Sequence, residues 1–133
     1  MPAADLITAP RYTRAAVAAW LGVSRATVRR RAGPIAGALA FADVVRVGLA
    51  LGRVRVITSH RVRLTHFPLP VLLDPRYGWG QPFVFGDDDL VPVPPLVERV
   101  RAGEDPTTVA HDYGLPVEAV QALVAALRTP GRP

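Results

Sequence analysis

The 133-residue sequence predicts a mainly α-helical fold with short β-hairpins, an N-terminal helix-turn-helix joined to a small strand-plus-three-helix unit. Three observations predict it. The stretches 12–31 and 105–128 share one pattern: an apolar helical face, a glycine four residues after an alanine, then a second helix. Between them lies a segment alternating Arg with Val at strand period. Prolines and glycines stand wherever the period changes, and Pro68 with Pro70 sets the expected units at 1–67 and 68–133.

The first element is YTRAAVAAWLGVSRATVRRR, Tyr12 to Arg31. Thr13 can cap a helix whose Val17, Ala18 and Leu21 share one face. Gly22 stands where the chain leaves that helix, and Ser24 can cap a second one starting near Arg25. Val23 and Val28 point back to the first helix, while Arg25, Ala26, Arg29 and Arg30 face outward. In helix-turn-helix docking the N-terminal part of the second helix enters the major groove of DNA. Arg25 and Arg29 are therefore expected to read bases, and Arg30 to meet phosphate, with Thr13, Ser24 and Thr27 beside them. Arg31 departs from the pattern, because an apolar residue should stand there to finish the small core.

Charge supports the same partner. Residues 1–63 hold eleven Arg against Asp5 and Asp43, a net +9; residues 64–133 hold five Arg against nine acidic residues, a net −4. A cationic half neutralises phosphates and releases counterions, which gives salt-dependent affinity for nucleic acid. There is no cysteine, which excludes a disulfide framework and thiolate metal sites. Neither a secretory signal nor an apolar run long enough to span a bilayer is visible, so a cytoplasmic protein without a membrane partner is expected.

After Ala32-Gly33-Pro34 stops the basic helix, Phe41 to Leu51 reads as a further helix with Phe41, Val44, Val45 and Leu49 on one face, packed across the helix-turn-helix. Arg53 to Phe67 follows as a half-buried strand or hairpin. It reads equally as a wing that offers Arg53, Arg55, Arg61 and Arg63 to phosphates or as a plain edge strand with charged outward residues. His60 and His66 have no third ligand in reach, so no metal site is expected there.

In the second half, Val71 to Leu73 reads as a short strand and Asp74-Pro75 as a turn. Gly78-Trp79-Gly80 has no phosphate-binding helix after it and does not carry a nucleotide site. Phe83 to Val93 reads as a hairpin around Gly86-Asp87-Asp88-Asp89, a run taken as a solvated turn rather than a metal site. Its Phe83, Phe85, Leu90, Val91 and Val93 are too many apolar groups for two isolated strands to hide, which makes them the expected homodimer or partner surface. Three helices follow: PLVERVRAG ending at Gly103; a helix capped by Asp105, opened by Pro106 and closed at Gly114; and PVEAVQALVAALR. Placing Gly114 over Gly22 puts Ala110 over Ala18, Val120 over Val28 and Leu123 over Arg31. The outward residues of this second helix pair are Val117, Glu118, Gln121 and Ala122, which repel or ignore phosphate and suit protein contacts instead.

The segment LLDPRYGWGQPFVFGDDDLVPVPPLVERVRAGEDPTTVAHDYGLPVEAVQAL resembles the bacterial "domain of unknown function 433" family of VapB-like antitoxins, above all in RAGEDPTTVAHDYGL, Arg101 to Leu115. Similar proteins carry an N-terminal MerR-like helix-turn-helix opening with Tyr-Thr, and YTRAAVAAWLGVSRATVRR is similar to that. The resemblance implies an antitoxin of a type II pair that represses its own operon, with a PIN-domain ribonuclease as toxin. Gly86 to Leu90 replaces the Gly-Thr-Arg-Ile-Pro-like turn of the family and lacks its Arg. The tryptophan common at the end of the MerR-like reading helix is replaced by Arg31. A toxin-covering segment is not evident, the only candidate being the tail with Arg128 and Arg132. The competing expectations are an orphan transcription regulator and a protein-binding module that touches no DNA. No Cys–His pair, nucleophile elbow, phosphate loop or convergent carboxylate set points to an enzyme, and no cofactor is expected.

Overall fold

In the computed structural model, which describes residues 3–34, 37–87 and 89–128, four N-terminal helices precede a five-stranded antiparallel sheet, and three helices close the chain. The helices are α1 (Ala3–Thr8), α2 (Arg14–Leu21), α3 (Arg25–Ala32), α4 (Phe41–Ala50), α5 (Val93–Arg101), α6 (Pro106–Tyr113) and α7 (Val117–Arg128). The strands are β1 (Val54–Thr58), β2 (Arg61–Leu64), β3 (Leu72–Leu73), β4 (Phe83–Phe85) and β5 (Leu90–Pro92), lying side by side in chain order. The expected fold class is the observed one. Helix α1 was not anticipated, since its few residues carry no periodicity to read.

Local chemistry explains most boundaries. Gly22 and Gly114 both stand in the left-handed region, at φ 70° and 65°, and their N–H groups return to the Ala18 and Ala110 carbonyls. Asp105 caps α6 through the Thr107 N–H at 2.8 Å, and Pro106 takes the first helical position, where no N–H is needed. Ala40 has no side chain to cap α4, so Asp43 reaches back from inside the helix to accept the Ala40 N–H at 3.0 Å. On α4 the buried residues are Phe41, Val44, Val47 and Gly48. Leu49, expected on that face, is instead half exposed, because Gly48 is the residue that lets the helix lie on Val54 of β1.

The boundary expected after Phe67 falls between β2 and β3, which are hydrogen-bonded neighbours pairing Val62 with Leu73 and Arg63 with Leu72. One continuous set of buried side chains runs from Val17, Leu21 and Val28 through Val62, Leu64 and Leu73 to Leu96, Val109, Val120 and Leu123. Fully burying one such side chain contributes about 1.5 to 3 kcal/mol, and the two halves share that core. At the far end of the sheet the expected apolar surface is largely interior. Phe83 and Val91 are buried because their strands are not an isolated hairpin but the last two of five, and Val93 is buried as the first residue of α5 beside them. Only Phe85, 60% exposed, and the half-buried Leu90 remain at the surface.

Candidate nucleic-acid interface

The α2–turn–α3 unit is set by three polar contacts within it. Thr13 Oγ1 accepts the Ala16 N–H at 3.1 Å, Ser24 Oγ accepts the Thr27 N–H at 3.1 Å, and the two hydroxyls of Ser24 and Thr27 lie 2.8 Å apart. Thr27 Oγ1 also accepts from Arg30 Nη2 at 3.4 Å. Ser24 and Thr27 thus serve the start of α3 before they serve any ligand. Outward, Arg25, Ala26, Arg29 and Arg30 are all exposed, as the helical spacing requires, and Val28 is fully buried against α2. Arg31 is exposed too, and Ala32, one residue later, fills the core position that Arg31 fails to fill.

The far end of α3 is held from outside. Arg46 of α4 donates Nη1 to the Arg31 carbonyl and Nη2 to the Ala32 carbonyl, both at 3.1 Å, and approaches Asp43 at 3.5 Å. A guanidinium on the last carbonyls of a helix satisfies acceptors that have no partner within it and meets the negative end of its dipole. This arginine of the basic half is therefore committed to orienting α3.

The Arg-Val stretch is the hairpin β1–β2, at one edge of the sheet. Val54 and Val56 pair with Leu64 and Val62, and Arg55 sits opposite Arg63, with a bulge between Val56 and Thr58. Two guanidinium side chains facing each other across neighbouring strands repel, a cost that a polyanion would relieve. Arg55 is exposed and Arg53 and Arg63 are half-buried, all without an acidic partner among the described ion pairs.

Arg61 requires a correction. Its Nε donates to the fully buried carboxylate of Asp74 at 3.2 Å, and its guanidinium lies over the Tyr77 and Phe83 rings at 5.4 and 5.5 Å. Asp74 also accepts from Arg76 through the backbone N–H at 3.0 Å, Nε at 3.1 Å and Nη2 at 2.9 Å. Burial pushes the Asp74 carboxyl up, and the hydrogen bonds and charge of Arg76, with Arg61, outweigh it and hold the group below the usual carboxylate range. Arg61 thus serves the fold as a counter-ion before it serves any ligand. Nothing in the sequence marked the pairing, because Asp74-Pro75 reads as an ordinary turn signal and its partner is 13 residues away.

The C-terminal helix pair keeps the geometry and lacks the charge. Val120 and Val124 are buried where Val28 and Ala32 are, Leu123 is buried where Arg31 is exposed, and Glu118 and Gln121 face out. Arg99 of α5 binds Glu104 at 2.7 Å and Asp112 at 2.7 Å, so that cation is spent between α5 and α6. No group of His, Asp and Glu suited to a metal occurs among the described residues. Asp87 donates its backbone N–H to the Gly114 carbonyl, and Asp89 accepts the N–H of Leu90. Asp88 and Arg132 lie outside the described residues. Among those described, no helix is long and apolar enough to cross a membrane.

The sequence reading missed His66. Its Nε2 donates to the Ala126 carbonyl of α7 at 2.9 Å, and its ring packs against Gly22, tying the turn of the helix-turn-helix to the last helix.

No family model matches the chain, and no curated protein matches it either. Among solved structures, the crystal structure of Rv2018 from Mycobacterium tuberculosis is similar at 28% sequence identity and a TM-score of 0.44, over 69% of this chain and 43% of that one. The chain spans less than half the length of that protein.

Proposed function

We propose that the chain is a DNA-binding transcriptional repressor and the antitoxin of a type II toxin–antitoxin pair that regulates its own operon. The observation that carries the DNA reading is the row Arg25, Arg29 and Arg30, all exposed on a helix whose start is capped by Ser24 and whose end is fixed by Arg46. Arg53, Arg55 and Arg63 on the adjoining hairpin add phosphate contacts, and their mutual repulsion favours a polyanion. The antitoxin reading, with a PIN-domain ribonuclease as toxin, rests on the resemblance of residues 72–123 to VapB-like antitoxins. A homodimer would place two copies of α3 on half-sites one or more helical turns apart. Phe85 and Leu90, with half-exposed Tyr77 beside a groove of about 560 Å³, are the remaining apolar surface of the hairpin end for that contact.

The test is fluorescence anisotropy against duplexes tiled from the chain's own upstream region, at several salt concentrations. Tight binding to one palindromic tile, weakened by Arg25→Ala and by Arg29→Ala by roughly 1 to 3 kcal/mol each, is the expected result. Weak binding, equal on all tiles and indifferent to both substitutions, would refute it and leave a protein-binding module. One observation favours a second reading, an orphan regulator without a toxin: Asp87 and Asp89 flank the turn where the resembling family carries an Arg. Co-purification of a ribonuclease from the native host separates the two.

A further inference from the structure

We propose that the outer edge of β1 is a docking surface that takes an extended segment of a partner protein as an added strand, and that this segment alternates apolar with acidic side chains. Strand β1 is an outer strand of the sheet. Of its residues only Val54 is buried; Arg55 to Thr58 are exposed, and Val56 and Ile57 are each 50% accessible.

The ladder fixes which main-chain groups face outward. The Thr65 N–H donates to the Arg53 carbonyl at 3.0 Å, whereas the Leu64 N–H turns away from β1 and donates to the Val71 carbonyl at 2.9 Å. Residues of an antiparallel pair bond inward and outward in alternation. With Val54 opposite Leu64 and Val56 opposite Val62, it is therefore Val54 and Val56 that present N–H and C=O to the open side. Neither finds a hydrogen-bond partner there among the described residues. A row of unpaired main-chain groups is a template for another strand. The opposite edge is less open, because β5 ends in Pro92, which has no N–H to offer.

The side chains define the partner. Val54 and Val56 stand on the face where α4 packs, with Gly48 of that helix against Val54. A partner residue that exchanges bonds with Val56 has its own side chain on this face, where an apolar group would cover Val56. Arg55 stands on the other face, opposite Arg63, and Arg53 shares that face by alternation. None of the three has an acidic partner among the described ion pairs. The neighbours of the partner's apolar residue fall on this second face, beside Arg55, where carboxylates would be paired.

Charge decides between occupants. A second copy adding its own β1 would bring two rows of arginine together, and like charges on neighbouring strands repel. An acidic strand turns the same charges into an attraction. The arginines that keep copies of this chain apart thus select a partner of opposite charge, held by main-chain bonds and read by alternate side chains. The inference does not rest on the DNA reading. Where both hold, the added strand and a duplex compete for Arg55.

The experiment uses the full chain and a short synthetic peptide that alternates valine with glutamate. The peptide should saturably shift the backbone amide NMR signals of Val54 and Val56 and slow hydrogen exchange at Val56, while the signal of Val91 in β5 stays in place. A peptide with lysine for glutamate should move none of them. N-methylation of the valines keeps the charge and removes the donors that meet Val56, and should weaken binding about tenfold. Arg55→Glu, at an exposed position, should weaken the glutamate peptide about tenfold and let the lysine peptide bind instead. Silent β1 amides would overturn the proposal. So would an N-methylated peptide that binds as well as its parent, which would leave only attraction to the arginines. Protection of Val56 that rises with protein concentration in the absence of peptide would also overturn it, making a second copy the occupant. Silent β1 amides with Arg25→Ala still weakening duplex binding discard only the docking edge. A peptide response without duplex binding discards only the DNA reading.

Discussion

Replacing Gly22 by alanine tests whether the helix-turn-helix is mechanically tied to α7. The substitution has two costs. Alanine at φ 70° costs about 1 kcal/mol relative to glycine. Its Cβ would also collide with Nδ1 and Cγ of the His66 ring, far inside van der Waals contact, so the imidazole must leave. It then gives up its 2.9 Å bond to the Ala126 carbonyl and its edge contact with Phe67 at 5.5 Å, together about 1 to 2 kcal/mol. Gly22→Ala should therefore destabilise by roughly 2 to 3 kcal/mol, and His66→Ala by about 1 to 2 kcal/mol. In the double mutant the clash is gone and the His66 contacts are counted once, so the pair should cost about 1 to 2 kcal/mol less than the sum. Urea unfolding followed by circular dichroism measures all four proteins. Additivity within about 0.5 kcal/mol would refute the reasoning, since it would mean that the turn and the imidazole do not share the space.

Further outcomes follow from other sites. Asp74→Asn should flatten the acid limb of the stability curve. The native carboxyl titrates below its unfolded value, so its stabilisation is complete above that value and is lost as pH falls through the lowered one, a window from about pH 5 downward that urea midpoints would register. Should Asn keep the wild-type slope, the buried ion cluster is not its origin. Arg61→Ala should lower stability by about 1 to 3 kcal/mol and leave the salt slope of DNA binding almost unchanged, whereas Arg55→Ala should lower that slope by about one with little loss of stability. The reverse pattern in anisotropy and urea titrations would restore Arg61 as a phosphate contact. Phe85→Ser should shift the chain toward monomer in analytical ultracentrifugation without loss of helicity; an unchanged sedimentation profile would remove the hairpin end as the contact.

What was legible in the sequence is what neighbouring residues decide among themselves. Thr13, Gly22 and Ser24 locate α2, the turn and α3 because capping and left-handed geometry involve groups two to four residues apart, and the same holds for Asp105, Pro106 and Gly114. The outward row Arg25, Arg29 and Arg30 follows from helical spacing alone. The rest depends on partners brought together by the sheet. Strand β3 was legible near Val71 to Leu73, but its pairing with β4 was not, so the surroundings of Phe83 and Val91 were unreadable, and with them the burial of most of the expected dimer surface. Arg61 was grouped with the arginines offered to phosphates because Asp74 meets it only through the folded sheet.

The sheet has its strands in chain order, with β2 and β3 hydrogen-bonded across the middle of the molecule, and this has a consequence during synthesis. A nascent chain that has emerged only as far as Phe67 already displays α3, but the outer edge of β2 is bare and His66 has no Ala126 to meet. The basic helix is thus translated early and held firmly only when nearly the whole chain has left the ribosome. In genetic terms, a premature stop codon after Phe67 would release a fragment whose β2 edge is unpaired and whose His66 has lost its anchor on α7.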